Sequence, residues 1–218
     1  TEQEVIDHGI YTSPDMIKFA VGEVKYQDTN QNEGEKGILN DNDRVVVGNS
    51  NPDFIFGLSQ TFRYKQFDLS FLIQGVYGND VINTLKYNFE SNLGQSNNTT
   101  WKAYNNAWRG EGTSNSHPKI IESNKRVVYF SDRYVEDGSF LRVNNITIGY
   151  TLPKLFVSKL NIQNIRIYVT GYNLHCFTKY SGTDPEVDCC TSTPMTPGID
   201  YAAYPKSRSF VGGINVTF

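Results

Sequence analysis

Apolar and polar residues alternate with a period of two along five stretches of the chain, the pattern of β-strands with unlike faces. Between Asp53 and Tyr64, Phe54, Phe56, Leu58, Phe62 and Tyr64 fall on one face. Ile55, Gly57, Ser59, Thr61 and Arg63 fall on the other, and Gln60 breaks the apolar side. From Phe67 to Tyr77, Phe67, Leu69, Phe71, Ile73 and Tyr77 share a face opposite Asp68, Ser70 and Gln74, while Leu72 and Val76 intrude on the polar side. The short Tyr64–Phe67 connection makes these two a hairpin. Phe140–Leu152 sets Ile146, Ile148, Tyr150 and Leu152 against Asn145, Thr147, Gly149 and Thr151. Asn164–Leu174 sets Ile165, Ile167 and Val169 against Arg166, Tyr168, Thr170 and Tyr172. Ser209–Phe218 sets Phe210, Ile214, Val216 and Phe218 against Ser209, Gly213, Asn215 and Thr217. Each run approaches the roughly 9–11 residues that carry a tilted strand across a bilayer.

The connections are unequal in an ordered way. Tyr64–Phe67 and Pro153–Gln163 are short, whereas residues 78–139 and 175–206 form long stretches rich in Asn, Ser, Thr and Gly. Unstructured loops of that length are uncommon in compact soluble domains. Outer-membrane barrels, by contrast, alternate short periplasmic turns with long outer loops. If the last strand runs inward, parity places both long loops outside, both short turns inside, and everything before Asp53 outside. The expected fold is therefore all-β, with antiparallel up-and-down strands forming part of a transmembrane β-barrel. Five strands are too few to close one, since about eight is the minimum. The rival is a soluble β-sandwich glycan-binding module, in which the apolar faces pack on each other.

Composition narrows the field. Aromatic residues make up 13% of the 218 residues, which argues against disorder. No apolar run is long enough for a membrane-spanning helix. With 20 basic and 23 acidic side chains the net charge is −3, so no electrostatic ground exists for nucleic acid as a partner. The chain starts at Thr1 with neither Met nor a signal peptide, the expectation for a processed product or a piece of a longer chain.

Several ordered segments carry a family resemblance. They are Gly22–Asn30, Asn40–Phe54, Arg133–Pro153, and Gly171–Leu174 continued by Thr178–Glu186, with a weaker Trp108 to Lys119 segment. Together they resemble the SusC/RagA-type TonB-linked outer-membrane proteins of Bacteroidetes. The resemblance implies the C-terminal barrel portion of a much larger receptor in the bacterial outer membrane. That receptor has a plug domain and a TonB-contacting segment, both absent from this stretch. It imports large nutrients, oligosaccharides or peptides, together with a SusD-like surface lipoprotein. Phe210, Ile214, Val216 and the terminal Phe218 then form the pattern read by the barrel assembly machinery.

The candidate chemistry is that of binding rather than catalysis. Asp28, Asn30 and Asn32, with Asp41 and Asp43 further on, have the alternating oxygen ligands of a calcium loop. Asn32-Glu33-Gly34 departs from the cleaner acidic repeat, and a solvated Asx-rich turn uses the same residues. Trp101, Tyr104 and Trp108 fall on one face of a short helix in the longest outer loop. They are either a platform for a sugar ring or partner, or the face that packs the helix onto the rim. Tyr201 and Tyr204 in the last outer loop have the same two readings. Arg63, Asp68, Arg166, Tyr168 and Tyr172 project to the polar face, which is the interior of a barrel. His8, His117 and His175 are scattered without ligand spacing. No nucleophile elbow, phosphate loop or dinucleotide fingerprint occurs, so no enzyme is expected. Asp184-Pro-Glu186 belongs to a family loop segment, and Cys189 and Cys190 are read as loop thiols.

Overall fold

The computed structural model describes residues 1–9, 14–30, 32–35, 37–91, 98–120, 129–157, 162–187 and 197–218. The strands are β1 (Phe54–Tyr64), β2 (Phe67–Tyr77), β3 (Asp80–Asn83), β4 (Val135–Asp137), β5 (Phe140–Thr151), β6 (Asn164–Thr178), β7 (Ile199–Asp200) and β8 (Ser209–Thr217). The helices are α1 (Glu2–His8), α2 (Pro14–Ala20), α3 (Thr84–Glu90), α4 (Trp101–Asn106) and α5 (Lys154–Val157). The chain forms two compact units: Thr1–Gly48 with Asn83–Tyr134, and Asn49–Ile82 with Val135–Phe218.

The second unit is built on one five-stranded antiparallel sheet, ordered β1-β2-β5-β6-β8. Its register brings the apolar positions into continuous rows: Leu69 faces Ile148, Ile148 faces Val169, and Ile167 faces Ile214. No second sheet covers this face among the described residues. Phe54, Phe62, Phe67, Ile148, Val169 and Phe210 remain 53–69% exposed. That exposure removes the sandwich alternative, whose apolar faces must be buried against each other. Aromatic rings gather at both ends of the face, with Phe54 on Tyr77 at 5.1 Å and Phe67 on Tyr150 at 4.8 Å. The 11 residues of β1 separate these groups. At about 3.3 Å per residue and a tilt near 45°, that spacing corresponds to an apolar band roughly 25 Å tall.

Residues 78–139 and 179–208 both join the sheet at the Phe54/Tyr77 end, and the short connections lie at the other. Two features of the connections depart from expectation. β6 continues four residues beyond Leu174, so its long loop begins after Thr178 rather than at His175. A small sheet, β4-β3-β7, is built from the ends of both long loops. Strands of two to four residues are too short for a period of two to register in sequence.

One irregularity governs the polar side. Leu72 of β2 faces Asn145 and Ile73 faces Val143, so Asn144 of β5 is bulged out of the ladder. Opposite it, Asn173 and Leu174 are skipped in β6, with Asn173 at φ 49°. A bulge of one residue reverses the side on which all later residues of that strand project. Beyond Asn144, Val143 and Leu141 therefore lie on the apolar face, while Arg142 and Phe140 lie on the polar one. Val76, which intruded on the polar side of its strand, is paired with Phe140.

The first unit is helical and irregular. Asn83 caps α3 by accepting from the Lys86 amide at 2.9 Å, and Thr100 caps α4 by accepting from the Ala103 amide at 3.1 Å. Ala103 is fully buried and supplies the packing face of α4. Deleting Asn144 from the full-length protein should close the ladder into regular alternation, with Val143 still opposite Ile73 and Arg142 still on the polar side. The expected result is that the heat-modifiable, folded species persists on gels of outer-membrane fractions, whereas Val143→Arg, which puts a charge on the apolar face, depletes it.

Candidate functional site

The polar face carries a row of charge near its short-turn end. Arg63 and Asp68 are register partners across the β1–β2 hairpin. Arg166 of β6 grips Asp68 with both arms of its guanidinium, Nε to Oδ1 at 2.9 Å and Nη2 to Oδ2 at 2.6 Å. This fork passes over the intervening strand β5 at Gly149. Any Cβ there would overlap both the carboxylate and the guanidinium. The guanidinium also stacks 5.1 Å above the Tyr168 ring, and that ring lies over Gly213 of β8. Four of the five polar-face candidates thus join in one row that spans the sheet. Tyr172 does not, because it faces Asn145 and Ser209 further along. Between them Thr147 and Thr170 share a hydroxyl hydrogen bond at 2.8 Å.

The other end of this face is covered. Arg142 donates to Asp184 Oδ1 at 2.5 Å, and its Nε lies 3.4 Å from Glu186. Arg142 and Asp184 are both buried, as is Phe140 beneath the guanidinium. Glu186 also pairs with Lys206. Nearby, the Tyr180 hydroxyl donates to Asp200 Oδ2 at 2.6 Å, and Asp200 accepts from the Ala203 amide at 2.9 Å. Burial and the Asp200 carboxylate push the Tyr180 phenol upward, so it remains a donor. Arg142 escapes simple sequence reading because plain alternation assigns position 142 to the apolar side; only the bulge turns it inward. Asp184 and Glu186 serve this clamp. Tyr201 and Tyr204 of the same loop are exposed.

In the helical unit, Trp101 and Tyr104 meet edge to face at 6.0 Å and are both exposed, with Arg109 stacked on Tyr104 at 5.0 Å. Trp108 is not on that face. α4 stops at Asn106 and the chain turns extended at Ala107, so Trp108 lies beyond the helix, its amide donating to His117 O at 3.1 Å. Its indole sits on Gly22, where a side chain would collide with the ring. Helical spacing fails here because the packing face is Ala103, not the aromatics. Trp108, Tyr26, His117 and Arg133 help line a cavity of about 430 Å³.

The Asp/Asn segment folds as interlocked turns. Asp43 Oδ1 accepts from the Thr29 and Asn30 amides, each at 2.9 Å, and Oδ2 from Asn40 at 2.8 Å. These backbone donors hold the Asp43 carboxyl below its ordinary range. Asp28 accepts from Gly37 at 2.7 Å, Asn30 bonds Glu35, the Asn32 amide donates to Asn30 at 3.1 Å, and Asp41 pairs with Arg44 at 2.8 Å. Among the described residues, no group of three or more His, Cys, Asp or Glu is arranged to hold a metal ion. His8 donates to the Tyr26 carbonyl at 2.8 Å, and His175 contacts Phe177. Cys189 and Cys190 lie outside the described residues, while Cys176 sits opposite Arg142 on β6.

No protein-family model matches the chain. TonB-dependent receptor P3 of Formosa agariphila is 36% identical over 187 residues, covering 84% of the chain and 18% of that receptor. TonB-dependent receptor SusC of Bacteroides thetaiotaomicron is 29% identical over 184 residues, covering 84% of the chain and 17% of SusC. Among solved structures, the RagAB peptide importer in its open-open state superimposes on 86% of the chain and 20% of its own, with a TM-score of 0.68 and 26% identity. The chain belongs to the SusC/RagA-type TonB-dependent receptors. It spans about a fifth of the length of the relatives it matches.

This membership gives the apolar face of the sheet an environment. The SusC/RagA-type receptors are outer-membrane proteins, so the exposed apolar rows meet lipid, and the Arg63–Asp68–Arg166–Tyr168 row lies on the opposite, polar face. Phe210, Ile214, Val216 and Phe218 lie on the lipid side, and β8 is an edge strand.

Three outcomes follow in the full-length receptor. Ile146→Lys, opposite Phe71 near the middle of the apolar face, should cost about 2–4 kcal/mol and deplete the assembled barrel, while Thr147→Lys next to it is tolerated. Gly149→Ala should act like Arg166→Ala, because the added methyl displaces the fork; urea titration of the heat-modifiable band reads both. Acid sensitivity is the third. His117 is buried 3.5 Å from Glu90, and burial and Arg133 lower its pKa, so the folded unit favours the neutral ring. That contribution is present above the ordinary histidine pKa and fades as pH falls below about 6.5. Limited proteolysis within 83–134 should accelerate between pH 7.5 and 5, and His117→Gln should flatten the dependence.

Proposed function

We propose that the complete receptor imports large nutrients, oligosaccharides or peptides, across the outer membrane, and that this portion supplies barrel wall and outer loops. The observation that carries the reading is a sheet with one broad, uncovered apolar face and one face of paired charges, in a chain whose relatives are TonB-dependent receptors. Likeness to SusC supports oligosaccharide cargo, and likeness to the RagAB peptide importer supports peptide cargo. The family resemblance supports capture between the outer loops and a SusD-like lipoprotein. It also supports energy coupling through TonB by the rest of the receptor, and insertion by the barrel assembly machinery. Trp101, Tyr104, Tyr201 and Tyr204 are among the exposed outer-loop aromatics and are available to cargo or partner. The Asp28–Asp43 turns, rich in carboxylate and amide oxygens, remain the place where calcium would bind. This portion does no covalent chemistry.

The test is growth of a strain lacking the full receptor on single classes of nutrient. Loss of growth on oligosaccharides alone, or on peptides alone, assigns the cargo. Unchanged growth and uptake on both classes overturns import. Trp101→Ala with Tyr204→Ala should weaken uptake several-fold without lowering receptor level.

A further inference from the structure

The clamp on Arg142 has a geometric consequence for the outer mouth. Arg142 stands on the interior face of β5, between Gln74 of β2 and Cys176 of β6. The segment it grips, Asp184-Pro185-Glu186, belongs to the long outer loop after β6. Asp184 is folded into a tight turn by the Glu186 amide, which donates to its Oδ1 at 2.9 Å. The two described legs of that loop, 179–187 and 197–208, are stitched to each other. Tyr180 bonds Asp200, Thr183 donates to the Ala203 carbonyl at 2.8 Å, and Glu186 pairs with Lys206. The two legs therefore move as one body, and their buried attachment to the wall is an ion pair on the interior side. A loop held there lies within the barrel's cross-section.

We infer that these two legs form an inward-folded constriction of the outer mouth, and that Arg142 is the positioning residue that holds it. The inference rests on reading this face as the barrel interior, and it adds that the loop limits access from outside. Two observations bear on it independently of the ion pair. Phe140 and Arg142 are buried on a face whose opposite end, at Arg63, is open. The bulge at Asn144 also has the specific effect of bringing residue 142 to this face. A buried guanidinium with its carboxylate removed is strongly unfavourable, so the segment should lift when the pair is broken.

Cys176, half-buried beside Arg142, reports on this cover. The experiment uses the full-length receptor in intact cells, with Cys189, Cys190 and any other cysteine replaced by serine and no nutrient added. The probes are a small membrane-impermeant methanethiosulfonate and a bulky polymer-linked maleimide. In the parent, the small reagent should react slowly and the bulky one hardly at all. Asp184→Asn and Arg142→Gln should speed both by about tenfold or more, as expected when a buried pair is lost and a local opening becomes easy. Arg142→Lys, which keeps the charge, should fall between. Heat-modifiable mobility confirms that each variant is assembled. Should the buried-pair variants fail to assemble, Lys206→Gln, which loosens only Glu186, carries the test with a several-fold increase. Equal labelling rates in parent and assembled variants overturn the inference, as does a parent in which the bulky reagent reacts as fast as the small one. Labelling needs no transport, so this result stands apart from the fate of the import proposal.

Discussion

Everything in the strand-built unit depends on the fact that its apolar face is left for hydrocarbon. A sheet that buried this face against another layer could distribute its charges on the outside. Here the charges have only one side to occupy, and on that side they must neutralise each other within reach of the wall. The Asp68–Arg166 fork and the Arg142–Asp184 clamp are two solutions to that problem, one at each end of the strands. Both use arginine, whose planar fork suits a carboxylate in a partly dehydrated site.

The same constraint explains where glycine and bulge residues are required. A guanidinium that reaches from β6 to β2 must cross β5 at backbone level, and Gly149 leaves that passage open. Arg142 needs the interior side, and an extra residue at Asn144 turns it there. Each departure from regular strand geometry thus serves a charged group that has no place in lipid.

Much of this was legible before the coordinates. The alternation of Phe54 to Tyr64, Phe67 to Tyr77 and Ile146 to Tyr150 reports directly on a half-lipid environment, because each side chain points to one of two media. The polar-face row was legible for the same reason. Arg142 was hidden because a bulge costs one residue of phase and leaves no compositional mark. Trp108 was misplaced because a helical spacing of aromatics says nothing about which small residue the helix buries, and Ala103 took that role. The short strands β3, β4 and β7 are held by partners distant in sequence, which a local period cannot express.

The fork between β2 and β6 also has a meaning for assembly. It joins strands that are not neighbours, so it senses the pairing of two interfaces at once, β2 with β5 and β5 with β6. A slip of two residues in either would keep every side chain on its proper face and so escape hydrophobic discrimination. It would, however, draw the guanidinium and carboxylate apart by about 6.6 Å. Asp68 and Arg166 therefore act as a register gauge, marking the correct alignment of three strands among alternatives that the lipid cannot tell apart.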